Sequence, residues 1–184
     1  NRDAAISRLT SLTKSLNKRG IMDRYRQELE KLVEKNYAEE VPAEEVNRDK
    51  DVWYLPHHAV MNDKKPDKLR IVFDCAAKFK GESLNSRCLK GPDLNNKLLH
   101  VLLRFRKHQY AVTSDIEAMY YQVKVDKRNR NALRFIWKDE DSQEVKTYRM
   151  TAHVFGGVWC AAAATYALRR TTKDYHVEDK IIVD

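Results

Sequence analysis

Apolar residues recur along the chain with two different spacings, and each change of spacing marks a new element. Over residues 22–36, MDRYRQELEKLVEKN, the residues Tyr25, Leu29, Leu32 and Val33 share one side of a helix while charges fill the others. A charged connector, AEEVPAEEVNRDK (38–50), follows and breaks at Pro42. The segments VWYLPHHAV (52–60) and KLRIVFD (68–74) are rich in β-branched and aromatic residues, which suit a pleated surface. Between them MNDKKPD supplies the Asn, Asp and Pro of a turn, so the pair predicts a β-hairpin with a basic tip.

Gly81 and KGPD (90–93) then punctuate a loop. Asp93 is placed to cap a helix over LNNKLLHVLLRFRKH (94–108), in which Leu94, Leu98, Val101, Leu102 and Phe105 share a face. YAVTSD (110–115) reads as a strand, ALRFIW (132–137) and VKTYRM (145–150) as a strand pair, and CAAAATYALRRTT (160–172) as a helix of strong formers. The last residues, VEDKIIVD (177–184), read as the start of an amphipathic helix. Helices and hairpins interleave without repeats, so the expected class is α+β.

Composition narrows the class further. The chain is 42% hydrophobic and 34% charged with five Gly and four Pro, which is globular material and neither fibrous nor disordered. A net charge of +8 argues for a polyanionic partner and says nothing about fold. Cys75, Cys88 and Cys160 are far apart, odd in number and without zinc-ligand spacing, which points to a reducing intracellular setting. No apolar run approaches bilayer-spanning length, so no membrane partner is expected. The chain starts without a Met or a signal-type apolar segment and stops abruptly, and it reads as part of something longer.

Three basic clusters stand out: Lys64, Lys65, Lys68 and Arg70 on the hairpin; Arg104, Arg106 and Lys107 at a helix end; and Lys124, Lys127, Arg128 and Arg130. Each reads as a solvated face or as a contact for phosphates. Arg70 differs in sitting between Leu69 and Ile71 inside a strand, where a fixed guanidinium can grip phosphate oxygens with two bonds. Asp115 ends an apolar run ahead of Met119, Tyr120 and Tyr121. It is either a strand-ending turn residue or one carboxylate of a metal site, with Glu117 as a surface charge or a companion. HVFGGVW (153–159) is either a turn into the alanine-rich helix or a place where backbone and aromatic rings approach a ligand. His57 and His58 face opposite ways in a strand and suit packing or hydrogen bonding, and Cys160 suits a small buried apolar role.

Taken in order, YLPHHAV, KLRIVFDCAAKFKGESLNSRCLKGPDL, VLLRFRKHQYAVTSDIEAMYYQVKV, ALRFIW and MTAHVFGGVWCAAAATYALRR resemble a reverse transcriptase. The group they are most similar to is the polyproteins of BEL/Pao long-terminal-repeat retrotransposons. The likeness runs from about residue 20 onward, and its most specific parts are the His-His strand, the Arg-x-Val-Phe-Asp strand, the Gly-Pro-Asp loop and the Asp-Ile-Glu box. It implies a right-hand polymerase fold, with an N-terminal helical segment (1–46), a fingers hairpin region (47–83), a first palm part (84–125), a second fingers part (126–150) and a second palm part (151–184).

The resemblance also implies roles. Asp115 matches the first catalytic aspartate, binding two Mg2+ ions. Tyr120 matches the aromatic beneath the incoming deoxyribose, Arg70 the fingers arginine on the triphosphate with Lys64, Lys65 or Lys68 as helpers, and Phe155 and Gly156 the segment beside the nucleotide and template base. The implied partners are an RNA or DNA template with its primer, deoxynucleoside triphosphates and the remainder of a polyprotein. The implied location is cytoplasmic virus-like particles with later nuclear access. Two departures stand against the family pattern: Cys160-Ala161 replaces Ser-Pro, and the second carboxylate pair, an Asp-Asp hairpin, is missing, so the palm is expected to be truncated before it. A non-catalytic nucleic-acid-binding remnant is therefore a rival expectation, and a metal nuclease built on Asp115 and Glu117 is another.

Overall fold

The computed structural model describes residues 1–47, 51–62, 64–138 and 144–175, with backbone alone at 65–67. Helix α1 (Arg2–Lys18) turns directly into α2 (Met22–Glu34). Both close the same way. Gly20 (φ +64°) and Asn36 (φ +55°) are left-handed, and the residue after each donates its N–H back five positions, Ile21 to Leu16 O (3.1 Å) and Tyr37 to Leu32 O (2.8 Å). That closure favours Gly, and Asn next. The expected face of α2 is realised through Tyr25, Leu29 and Leu32, while Val33 stays exposed.

The charged connector holds two short elements that its composition hides. Strand β1 (Ala38–Glu40) pairs antiparallel with a later strand, β5 (Val145–Met150), and α3 (Ala43–Val46) begins after Pro42. Strand β4 (Arg134–Lys138) completes a three-stranded sheet in the order β1–β5–β4.

The hairpin forms as expected from β2 (His57–Asn62) and β3 (Lys65–Phe73), with His57 opposite Phe73 and Val60 opposite Arg70. Leu69, Ile71 and Phe73 point into the core and Lys68 and Arg70 to solvent, the period-2 alternation of a half-buried strand. Residues 52–56 do not continue β2, because Pro56 has no N–H to offer a ladder. Instead Leu55 donates to Arg134 O (2.7 Å) and Arg134 to Trp53 O (3.0 Å), which covers the outer edge of β4. One core gathers Leu16, Tyr25, Leu32, Leu55, Ile71, Phe73, Phe135, Met150 and Val154, so both early helices share it with the hairpin and the sheet.

His57 lies fully inside this core. Its Nε2–H donates to Ile136 O (3.0 Å), since a carbonyl can only accept, so Nδ1 accepts from the Tyr25 hydroxyl. Its neighbour His58 faces solvent, as two adjacent strand residues must. Burial lowers the pKa of His57 from 6.5 to about 4 and raises that of Tyr25, which keeps both partners neutral. Between those pH values the unfolded chain binds a proton that the folded chain refuses. Stability is therefore fully present above pH 6.5 and lost as pH falls toward 4. The loss should be about 3 kcal/mol, at about 1.4 kcal/mol per unit. Denaturant titrations at pH 7 and pH 4 should show that much extra loss in the wild type relative to His57→Gln. Equal losses in the two would refute it.

Two expectations fail in the middle of the chain. Helix α4 (Leu84–Arg87) is followed by α5 (Leu98–Phe105), which starts after Lys97 and not after Asp93. Asp93 accepts from the Asn95 N–H (3.0 Å) and holds a turn there. All the shared-face residues of α5 stay at or near the surface, with Leu98 71% exposed. Residues 110–115 form no strand, because no described strand lies alongside, and a strand exists only through its ladder. The expected helix over 177–184 lies outside the described residues. Helix α6 (Cys160–Asp174) forms as expected. Among the described residues no helix is long and apolar enough to cross a membrane.

Candidate nucleotide and nucleic-acid site

Three segments far apart in sequence meet at the C-terminal end of β3. The first is β3 itself, with Arg70 on its solvent face, Phe73 at its end and Asp74 and Cys75 continuing. The second is the 153–158 turn. Phe155 O accepts from the Phe73 N–H (3.3 Å), and Gly156 (φ +120°) lies so close to β3 that a Cβ there would meet Phe73 O at 2.2 Å. The third is a short 3₁₀ helix, Met119–Gln122. It places Tyr120 against Phe155 with ring centroids 4.6 Å apart, and Tyr121 edge-on to Phe155 at 5.6 Å and stacked on Tyr37 at 5.0 Å.

Backbone bonds lock the second and third segments together. Val125 donates to Thr151 O (2.8 Å) and His153 to Val123 O (2.9 Å), so the chain leaving the tyrosines runs beside the chain entering the glycine turn. Asn85 clamps that turn from outside. Its Nδ2 donates to Gly156 O (3.1 Å), its Oδ1 accepts from the Val158 N–H (3.0 Å), and its own N–H donates to Cys75 O (2.9 Å). Asn85 and Tyr121 position the site, yet neither has a local signal in the sequence. Apart from the Asn85–Cys75 bond, ten positions apart, these contacts are with residues between about 35 and 85 positions away.

Ala118, which precedes the 3₁₀ helix, is left-handed at φ 52°, ψ 41°. The turn redirects the chain from the extended segment bearing Asp115 into the tyrosines, and it costs a Cβ-bearing residue about 1 kcal/mol. Ala118→Gly should raise stability by about that amount in denaturant melts, with Tyr120 still on Phe155. A destabilised variant would mean the turn is not held as described.

The predicted residues divide accordingly. Tyr120, Phe155 and Gly156 are brought together, and Arg70 lies three residues along β3 from their anchor, about 10 Å at strand rise. Lys64 and Lys68 are exposed on the same hairpin, with the Lys64 N–H donating to Asn62 Oδ1 (2.9 Å), while the Lys65 side chain lies outside the description. Asp115 is exposed on the unpaired segment five residues before Tyr120. Glu117 faces Lys35 at 3.6 Å and acts as a surface charge. Among the described residues no three His, Cys, Asp or Glu side chains converge where they could hold a metal. One exposed carboxylate does not fit a two-ion centre, which needs ligands bridging ions about 4 Å apart.

The third basic cluster is largely engaged within the fold. Lys124 donates to Asn36 O (2.7 Å), Arg128 pairs with Asp126 (3.1 Å) and Arg130 with Glu39 (3.3 Å). The middle cluster does sit at the end of α5, where cations suit the helix C-terminus. The cysteines are structural. Burial raises Cys75 to about 12 and Cys160 to about 11, so both remain protonated and unreactive. Helix α6 starts at Cys160, whose N–H bonds Gly157 O (3.1 Å). No protein-family model matches the chain, and no curated protein matches it.

Proposed function

We propose that this chain is the fingers and the first part of the palm of a reverse transcriptase of the BEL/Pao retrotransposon type, which binds a primer on an RNA or DNA template together with a deoxynucleoside triphosphate. The observation that carries the reading is the convergence of Tyr120, Phe155 and Gly156 at the end of the strand bearing Arg70. Tyr120 and Phe155, 35 positions apart, pack against each other, and Gly156 rests on Phe73, three residues along the strand from Arg70. In this reading the hairpin (47–83) and the 126–150 sheet are fingers, and 84–125 with 151–184 are palm.

Each residue then has a task that its position permits. Arg70, exposed on β3 with its neighbours buried, offers a fixed fork to the triphosphate. Lys64 and Lys68 neutralise phosphates beside it. Tyr120, backed by Phe155, presents a ring beneath the sugar, where a ribose 2′-hydroxyl would collide. Asp115 would offer a single carboxylate to the Mg2+ ions that would supply charge stabilisation in nucleotidyl transfer, and the described residues bring no further carboxylates to it. The 184-residue chain should therefore bind primer–template without extending it. Its place in the cell would be that of the parent polyprotein, cytoplasmic particles with later nuclear access for the DNA product.

Fluorescence anisotropy with a labelled RNA–DNA primer–template tests the reading. Binding should weaken steeply with salt through counterion release. With the deoxynucleotide that matches the next template base present, replacing Lys64, Lys68 and Arg70 together by Ala should flatten the log–log slope by roughly 3. Adding the deoxynucleotide that matches the next template base should tighten the complex more than its ribonucleotide does, and Tyr120→Ala should erase that preference. An unchanged salt slope in the triple variant would sink the assignment of the hairpin. The isolated carboxylate at Asp115 favours a second reading, a non-catalytic nucleic-acid-binding remnant, for which the salt slope holds and the deoxynucleotide has no effect.

A further inference from the structure

We propose that the cleft between α2 and the β1–β5–β4 sheet is a docking site for an extended basic peptide, seating one arginine or lysine side chain and an apolar neighbour. The cleft encloses about 450 Å³, within the range of small-ligand sites. Its floor is Phe135, stacked on Tyr148 at 5.4 Å with the planes 18° apart. The half-buried Trp137, two residues along β4 from Phe135, forms one wall, and Leu29 and Val33 of α2 form the other. None of these residues belongs to the nucleotide site.

Charge decides the occupant. The chain as a whole carries +8, yet this rim runs against that sign. Glu30 and Glu34 stand one turn apart on α2 and are both exposed, and Glu40 of β1 joins them on the rim. Two cations stand there, Lys138 and Arg26, and with Asp23 paired to Arg26 (3.0 Å) they face four carboxylates. Like charges four residues apart weaken a helix, so Glu30 and Glu34 gain from a positive group between them. A guanidinium or ammonium entering the cleft meets aromatic faces and carboxylates together, and both attract it. A nucleic acid is repelled by the same rim, so the occupant is chemically distinct from the ligand proposed above.

Acetyl-Arg-Leu-amide is the probe, titrated into the whole chain while backbone amide resonances and tryptophan emission are followed. The expected result is saturable binding near the millimolar range, with shifts concentrated at residues 30–34 and 137–138. The Glu30→Gln/Glu34→Gln double variant, altered only at exposed positions, should bind roughly fivefold more weakly, since each exposed charge pair contributes modestly. Acetyl-Glu-Leu-amide should leave the same resonances unmoved. Equal affinity in the double variant, shifts elsewhere, no saturation by roughly 10 mM, or displacement of the dipeptide by an oligodeoxynucleotide would each overturn the proposal.

Discussion

Gly156→Ala should destabilise the protein by about 3 kcal/mol or more and dismantle the proposed nucleotide site. Two costs add at this position. The backbone at φ +120° belongs to a region that L residues rarely enter, and the new Cβ would sit 2.2 Å from Phe73 O, a backbone atom of a core strand that cannot swing aside. A loss of about 3 kcal/mol in a chain of this size lowers Tm by roughly 6–12 °C. Two controls separate the causes. Gly81→Ala meets no atom within 4 Å and carries only the strain of φ +86°, so it should cost about 1 kcal/mol. Gly157→Ala meets side-chain atoms of Cys160 and Trp159 at 2.8 Å, and any yielding there comes from side chains, so it should fall between. A Gly156→Ala melt no lower than that of Gly81→Ala would show that the 153–158 turn does not rest on β3. Because Phe155 and Tyr120 are positioned by the same contact, nucleotide-dependent tightening should disappear in Gly156→Ala even at temperatures where the variant stays folded.

Replacing the buried Arg134 by Met should cost about 3–5 kcal/mol, although Met approximates its length and removes a charge from the interior. The guanidinium is fully buried and spends its donors on fixed acceptors: Glu45 O (2.6 Å), Val46 O (2.9 Å), the Tyr54 hydroxyl (3.3 Å) and Asn131 Oδ1 (3.2 Å). Two of those are the last carbonyls of α3, whose ends need a donor from somewhere. Arg149 reaches the same Asn131 oxygen (3.1 Å), and Glu39 and Glu45 (2.6 Å each) balance its charge. Removing Arg134 leaves several buried acceptors unmet, and it is the unmet acceptor that carries the penalty. Arg134→Lys should recover part of the loss, because an ammonium cannot reach acceptors spread around a planar fork. Urea midpoints for the two variants decide the matter. A loss under about 1 kcal/mol for Arg134→Met would mean that water reaches those carbonyls.

The elements most readable along the chain are those whose burial is local and one-sided. Leu69, Ile71 and Phe73 alternate with Lys68 and Arg70, so β3 announces both its period and its exposed arginine. Tyr25, Leu29 and Leu32 do the same for α2. The short β1 announces nothing, because three residues become a strand only when β5 lies beside them. Residues 110–115 fail in the opposite sense. Tyr110, Ala111 and Val112 have strand-like side chains, but pairing is a property of two segments, and here the second is not among the described ones.

The candidate site divides along the same line. The resemblance to reverse transcriptases singles out Arg70, Asp115, Tyr120, Phe155 and Gly156, and it can be drawn from sequence because a fork donor, a carboxylate, a ring and a residue without Cβ are chemical identities that a sequence states outright. Which of them meet is another matter. That Gly156 lies on Phe73, that Phe155 backs Tyr120, that Asn85 clamps the turn and that Asp115 stands apart all follow from long-range backbone bonds and core packing. Such contacts join residues tens of positions apart, and no pattern within a single segment encodes them. Side-chain chemistry is local, and proximity is the work of the whole fold.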